Sequence, residues 1–223
     1  MTDFYTGAVI LAAGASERFG RDKIMLELNG RHVIEYSLLA FERACTVDET
    51  VVVAAEAMVP SVSRLVRERG FGKVSRVVAG ADSRVASAAC GLAALSCRCR
   101  YICVHDGARP LITPEDIDKV NRAAYEYGAV FCGTRVTDTI KSVDEDGAVL
   151  STLDRGSLRA AATPQSFEIE LYRRAVSAAD GAFTDDAGMV EALGERVRFV
   201  ECRADNYKIT LPEDVKRISR LLE

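Results

Sequence analysis

The stretch Ala8-Val9-Ile10-Leu11-Ala12-Ala13-Gly14-Ala15-Ser16-Glu17-Arg18-Phe19-Gly20-Arg21-Asp22-Lys23 decides how this chain is read. Ala8–Ala12 is an apolar run too short to span a bilayer and suited to a strand buried on both faces. Small residues follow at once, then a segment carrying Arg18 and Lys23. Small side chains let backbone N–H groups approach phosphate oxygens, and two cations can neutralise a polyanion. The spacing is neither the G-x4-G-K-[ST] loop nor G-x-G-x-x-G. A plain strand-to-helix turn with solvated charges would look the same.

Working outward, short apolar runs recur at 50–54, 74–79, 101–104 and 129–132, with helix-period segments between them at 33–45, 60–69, 87–95 and 114–127. Val33, Ile34, Ser37, Leu38, Phe41 and Cys45 fall on one helical stripe. Thr113, Pro114, Glu115 and Asp116 are the N-cap, first-turn proline and acidic first turn of a helix. Strands alternating with helices predict an α/β fold, a parallel sheet with helices on both faces. The pattern breaks at Arg135–Val143, which alternates residue by residue. Asp144-Glu145-Asp146-Gly147 then offers turn chemistry and Ala148–Leu153 continues, so a β-hairpin is expected. Its strands lack an apolar face strong enough to stand alone, and such an arm needs another surface, such as a second subunit. Helical period returns at 168–179, 186–193 and 212–222, with a strand at 197–201. A single domain over 1–223 with an arm inserted at 134–159 follows.

Composition sets bounds on function. The chain has 223 residues, 48% apolar and 28% charged, with a net charge of -4. That balance supports a buried core and offers no basic footprint for nucleic acid. Met1–Gly7 carries Asp3 and no basic residue, so it is read as leading into a strand rather than as a leader, and a cytoplasmic protein with no membrane partner is expected. Seven cysteines do not pair evenly, and Cys97, Cys99 and Cys103 lack the C-x2-C spacing of structural zinc; buried free thiols are expected.

Two further segments end predicted strands, where open α/β sheets bind ligands. Gly80-Ala81-Asp82-Ser83-Arg84-Val85-Ala86-Ser87 is one, although Asp82 or Ser87 can equally be a helix cap. His105-Asp106-Gly107-Ala108-Arg109-Pro110 is the other. Its carboxylate can position a phosphate-bound metal or a hydroxyl, and its arginine can clamp phosphate. No nucleophile is paired with His105 in sequence, so a structural histidine is favoured over a general base. Asp138-Thr139-Ile140-Lys141, Asp154-Arg155, Thr163-Pro164-Gln165-Ser166-Phe167, Thr184-Asp185-Asp186 and Asn206–Asp214 complete the set. Singly they are ordinary; Thr184 can simply cap a helix.

Taken in order, these segments resemble the cytidylyltransferases of the non-mevalonate isoprenoid pathway, over about Ala8–Asp214. The family joins CTP to 2-C-methyl-D-erythritol 4-phosphate, making 4-diphosphocytidyl-2-C-methyl-D-erythritol. The resemblance implies a Rossmann-like nucleotide-diphospho-sugar transferase fold, a mostly parallel three-layer sheet with a β-arm that interlocks two subunits as a homodimer. It implies that Ala12, Ala13, Gly14, Ala15 and Ser16 cover the cytidine and triphosphate while Arg18 and Lys23 stabilise charge at the α-phosphate. Gly80, Asp82 and Ser87 would line the base and ribose pocket, braced by Arg84. Asp106, Arg109, Thr139, Arg155, Thr163, Thr184 and Lys208 would serve the acceptor, some from the partner's arm, with Arg155 and Lys208 aiming its phosphate. Mg2+ would bind mainly through the triphosphate. Ser16 stands where the family usually has Gly, and the short Arg18–Lys23 spacing is closer to molybdopterin nucleotidylyltransferases. Ribitol-5-phosphate cytidylyltransferase and a non-catalytic nucleotide-binding regulator are the other readings.

Overall fold

The computed structural model describes residues 4–14, 23–181 and 183–222. Chain order is β1 (Thr6–Ala12), β2 (Glu27–Leu28), β3 (Arg31–His32), α1 (Val33–Arg43), β4 (Glu49–Ala54), α2 (Val59–Arg69), β5 (Val74–Ala79), α3 (Arg84–Ala94), β6 (Tyr101–Asp106), α4 (Pro114–Tyr127) and β7 (Ala129–Arg135). Then come β8 (Lys141–Val143), β9 (Val149–Thr152), β10 (Arg159–Glu168), α5 (Ile169–Ala178), α6 (Asp186–Ala192), β11 (Arg198–Glu201) and α7 (Pro212–Leu221).

Seven strands form the main sheet in the order β11-β7-β10-β6-β1-β4-β5. The three layers follow from the two-residue period of β1. Ala8, Ile10 and Ala12 face a cluster with Ile34, Leu38 and Phe41 of α1 and Val62 and Leu65 of α2. Val9, on the other face, joins Leu92 of α3, Tyr172 of α5 and Met189 of α6. Both faces are covered, so a continuous apolar run such as β4, buried at all six positions, is what the sheet requires. Thr113 caps α4 with its hydroxyl on the Asp116 N–H, ahead of Pro114, as its sequence predicts.

The sheet is mostly parallel, as expected, with one reversed strand: β10 runs antiparallel to both β6 and β7. Its first half, Arg159-Ala160-Ala161-Ala162, has no strand-like alternation, and it is a strand because two neighbours supply its hydrogen bonds. The ladder slips between Ala162 and Gln165, where Pro164, with no N–H to give, is accommodated. Other expectations need correction. Of the expected 135–143 strand, Arg135 instead ends β7 opposite Arg159, and only Lys141–Val143 forms a separate strand, paired with Val149–Thr152. Cys45 lies beyond the end of α1 and is exposed rather than on its buried stripe, and Cys97 is exposed too. Cys99, Cys103 and Cys132 are buried thiols. Between β2 and β3, Asn29 and Gly30 both have positive φ, 47° and 79°, the backbone of a tight hairpin turn. Among the described residues no helix is long and apolar enough to cross a membrane.

Candidate active site

β1, β4, β5 and β6 are parallel, so their C-terminal ends open on one side of the sheet. A cleft of about 510 Å3 lies there, lined among others by Ala12, Ala13, Gly14, Lys23, Asp82, Arg84, Ser87, Asp106 and Lys208. It sits beside β1, where the strand order reverses: the chain runs outward from β1 through β4 to β5 and then returns to β6 on the other side of β1, the place where such sheets bind ligands. Segments from opposite ends of the sequence therefore share one cavity, as a two-substrate site demands.

Each wall has a local cause. The β1 and β5 loops meet closely: a Cβ on Gly80 would lie 2.4 Å from the Ala13 Cβ and 2.8 Å from the Ser87 Oγ. Only glycine permits that approach. Ser87 is not the cap of α3; Ser83 is, accepting from the Ala86 N–H. The Ser87 hydroxyl instead donates to the Ala81 carbonyl at 3.1 Å and accepts the Ala81 N–H at 3.0 Å, which pins the loop. Lys23 leads into the β2–β3 hairpin: the Leu26 N–H lies 3.4 Å from the Lys23 carbonyl, and the Ile34 N–H donates to the Ile24 carbonyl at 3.2 Å. The Val33 N–H donates to the Leu26 carbonyl at 2.9 Å, and His32 Nδ1 lies 2.8 Å from the Met25 carbonyl. Ala15, Ser16 and Arg18 lie outside the described residues.

Asp106 is the junction of the cleft. Its Oδ2 accepts from Lys208 Nζ at 2.8 Å and lies 3.5 Å from Arg109 Nε, while Oδ1 lies 3.5 Å from Arg84 Nη2. Burial pushes this carboxyl up, but Lys208, then Arg84 and Arg109, outweigh it and hold it well below the usual carboxylate range. The Asp106 N–H donates to the Thr163 hydroxyl at 3.0 Å, which is also 3.1 Å from His105 Nδ1. Thr163 is buried and stands behind Asp106 as its backbone support. His105 is fully buried against Phe41, and burial drops its imidazole to about 3. A neutral, enclosed ring outside the cleft lining is a packing element, as its sequence context suggested.

Lys208 is carried by a segment tied down from both sides. The Ile209 N–H donates to the Ala108 carbonyl at 2.9 Å, Arg109 Nη1 to the Asn206 carbonyl at 2.9 Å, and Asn206 Nδ2 to the Thr163 carbonyl at 2.8 Å. Arg109 and Lys208 also border a second cavity of about 220 Å3, with Thr134, Ala162 and Asn206. Lys208 thus stands between two adjoining spaces.

Three expected site residues lie apart from this group. Thr139 and Arg155 are exposed on the arm, where Arg155 Nη1 donates to the Thr137 carbonyl at 2.7 Å. Thr184 is exposed, and the cap of α6 is Asp185, not Thr184. Two further residues are buried behind Arg84: Asp186, which lies in the noted Thr184-Asp185-Asp186 segment but had no assigned role, and Tyr172, which no motif marked. Asp186 Oδ2 lies 2.6 Å from Arg84 Nη2, and the Tyr172 hydroxyl donates to Asp186 Oδ1 at 2.6 Å. Nothing in local spacing reveals a contact across 102 residues of chain.

With this geometry in view, the chain matches the family model of IspD, 2-C-methyl-D-erythritol 4-phosphate cytidylyltransferase, over residues 6–223. The chain belongs to that family. A relative of that name from Dehalococcoides mccartyi strain CBDB1 is 38% identical over 218 residues, 97% of this chain and 96% of its own. One from Rhodococcus jostii strain RHA1 is 41% identical over 219 residues, covering 97% and 94%. Among solved structures, 4-diphosphocytidyl-2C-methyl-D-erythritol synthase from Anaerococcus prevotii superposes with a TM-score of 0.89 at 28% identity, over 99% of both chains. The 2-C-methyl-D-erythritol 4-phosphate cytidylyltransferase of Thermus thermophilus gives 0.78 at 31%, covering 96% and 97%. Family and fold, nucleotidyltransferases on a mostly parallel sheet, agree with the resemblance drawn from the motifs.

Proposed function

We propose that this chain transfers the cytidylyl group of CTP to 2-C-methyl-D-erythritol 4-phosphate, releasing pyrophosphate and forming 4-diphosphocytidyl-2-C-methyl-D-erythritol, a step of isoprenoid precursor synthesis in the cytoplasm. One observation carries the reading: Lys23, Arg84, Asp106 and Lys208 line a single cleft at the carboxyl ends of the strands.

The acceptor is a phosphate monoester, already nucleophilic at neutral pH, so no general base is needed. The barrier is repulsion between two anions. Fixed cations that approach both substrates lower it, and a site of this type works by positioning and charge neutralisation of an in-line displacement. In this reading Ala12, Ala13 and Gly14, with Ala15 and Ser16, cover the nucleotide, and Gly80, Asp82 and Ser87 shape the base and ribose pocket. Lys23 and Arg18 meet charge developing at the α-phosphate. Asp106, Arg109 and Lys208 hold the acceptor, with Thr163 supporting Asp106. Thr139, Arg155 and Thr184 act on the same acceptor, the first two from the arm of a partner subunit in a homodimer.

A magnesium ion fits this donor set in a limited way. Among the described residues, Asp82 and Asp106 are the carboxylates lining the cleft. Asp106 is engaged by three cations, leaving the phosphate oxygens and Asp82 as the hard oxygen ligands such an ion prefers. When bound, it adds charge neutralisation at the triphosphate.

The test is pyrophosphate release from CTP with either 2-C-methyl-D-erythritol 4-phosphate or ribitol 5-phosphate. Turnover with the first supports the proposal. Turnover confined to the second replaces the acceptor, and CTP binding without release would make the chain a regulator.

A further inference from the structure

Arg84 is a cleft-lining cation whose guanidinium is held from behind by a fully buried carboxylate. Asp186, at the start of α6, has no solvent exposure, and both of its oxygens are taken: Oδ2 by Arg84 Nη2 at 2.6 Å and Oδ1 by the Tyr172 hydroxyl at 2.6 Å. Tyr172, on α5, is itself fully buried and stacks on Phe167 at a centroid distance of 5.2 Å. A carboxylate bonded at both oxygens cannot rotate, so the Arg84 Nη2 that it holds is fixed in place as well. The same Nη2 faces Asp106 Oδ1 at 3.5 Å on the cleft side. Arg84 thus stands between a carboxylate of the core and the carboxylate at which the Lys208 side of the cleft converges.

We propose that Asp186 is a positioning residue for the nucleotide: braced by Tyr172, it fixes Arg84 in the cleft wall beside Ser87 and Asp106. This rests on the cytidylyl-transfer reading above. The bland account reverses the roles, with Arg84 present only to neutralise a buried Asp186. A buried ion pair kept for stability alone is a poor device, because apolar residues of similar volume commonly do as well or better. Here the pair spans 102 residues of chain and ends at a cleft surface, and Arg84 Nη1 is left buried with no hydrogen-bond partner among the described residues. An unsatisfied guanidinium N–H is costly in a group whose duty is purely structural, and ordinary in one arranged for function.

The two accounts differ in which kinetic constant moves. For Asp186→Asn we expect the KM for CTP to rise about tenfold, the scale of one charge-assisted hydrogen bond, with the acceptor KM changing less than about threefold. Tyr172→Phe keeps the carboxylate but frees it to turn; the CTP KM should rise about two- to threefold. If Asp186→Asn does not fold, Tyr172→Phe carries the same comparison. In an Arg84→Met background, either substitution should add less than about twofold, because the effect passes through Arg84. Lower melting temperatures with an unchanged CTP KM in these variants would overturn the inference and leave the function standing, as would an undiminished effect of Asp186→Asn once Arg84 is gone. If the wild-type chain releases no pyrophosphate with any acceptor, function and inference fall together.

Discussion

The cleft and the arm are built on opposite terms. In the cleft the charged side chains around Asp106 are anchored within one chain: Asp106 by Lys208, Arg84 and Arg109, its N–H by Thr163, and Arg84 by Asp186. On the arm, β8 and β9 pair only with each other, and Val143, Val149 and Leu150 are 52%, 60% and 65% exposed. Apolar side chains so placed contribute nothing to the monomer, and a two-stranded ribbon of this size is marginal alone. The residues around Asp106 are thus held by partners from the same chain, whereas Thr139 and Arg155 stand exposed on a ribbon with no such anchoring.

That contrast can be broken at either end. The largest effect is expected at Lys23. Lys23→Ala should lower turnover about a hundred- to a thousandfold with the fold intact, the usual result of removing one preorganised charge. Near-normal kcat with an unaltered circular dichroism spectrum would remove Lys23 from the chemistry. On the arm, Arg155→Ala should raise the acceptor KM about tenfold and the CTP KM much less, a loss of one charged hydrogen bond. Arg155→Lys should restore only part of it, because a point charge does not replace a fork. Equal damage to both substrates would move Arg155 away from the acceptor. Leu150→Asp should shift sedimentation toward the monomer and weaken acceptor use about as much as Arg155→Ala does, while CTP binding by calorimetry stays within about threefold, since the nucleotide half needs no partner. A stable monomer in the wild type would end the argument for the arm.

The smallest effect concerns pH. Burial holds the His105 imidazole down at about 3, below its ordinary 6.5. As pH falls from 6.5 the unfolded chain takes up that proton first, so folding stability declines toward acid, by up to about 1.4 kcal/mol per pH unit. Its full contribution is present above 6.5. Asp106, held low by Lys208, Arg84 and Arg109 despite burial, adds its own loss only below the ordinary carboxylate range. In urea titrations between pH 6.5 and 4.5, His105→Gln should show a shallower decline than the wild type. An identical slope would mean that His105 does not set it.

How much of this was legible beforehand depends on whether a residue's environment is local. β1 and β4 are short apolar runs within the sheet, so composition alone marks them. The start of α4 is written in four consecutive residues. The motifs at 80–87 and 105–110 could be placed at strand ends, and Lys23, Asp82, Asp106 and Lys208 do share the cleft. β10 was not legible, since Arg159–Ala162 has no alternation and depends on β6 and β7 for its conformation. Asn29-Gly30, by contrast, is a hairpin signal readable from two residues alone. Asp186 lay in a noted segment whose role was not legible, and Tyr172 carried no signal, because buried partners of a distant arginine resemble any helix residues until the fold brings them together. Even Gln165, in a motif noted for its order, proves to be a tie to α6: its Oε1 accepts the Ala187 N–H at 2.8 Å and its Nε2 reaches Asp185 at 2.9 Å.

The reversed strand has a consequence for assembly at the ribosome. β6 and β7 are consecutive in the main sheet's chain order, yet they do not touch; β10 is the plank between them. Until Arg159–Glu168 has been synthesised, β6 keeps an open edge of unpaired amides and β7 has no berth beside it. Such an edge is a template for pairing with another nascent chain. The arm must therefore be made before the sheet can close, which makes β10, the strand that follows it, the one that joins what came before.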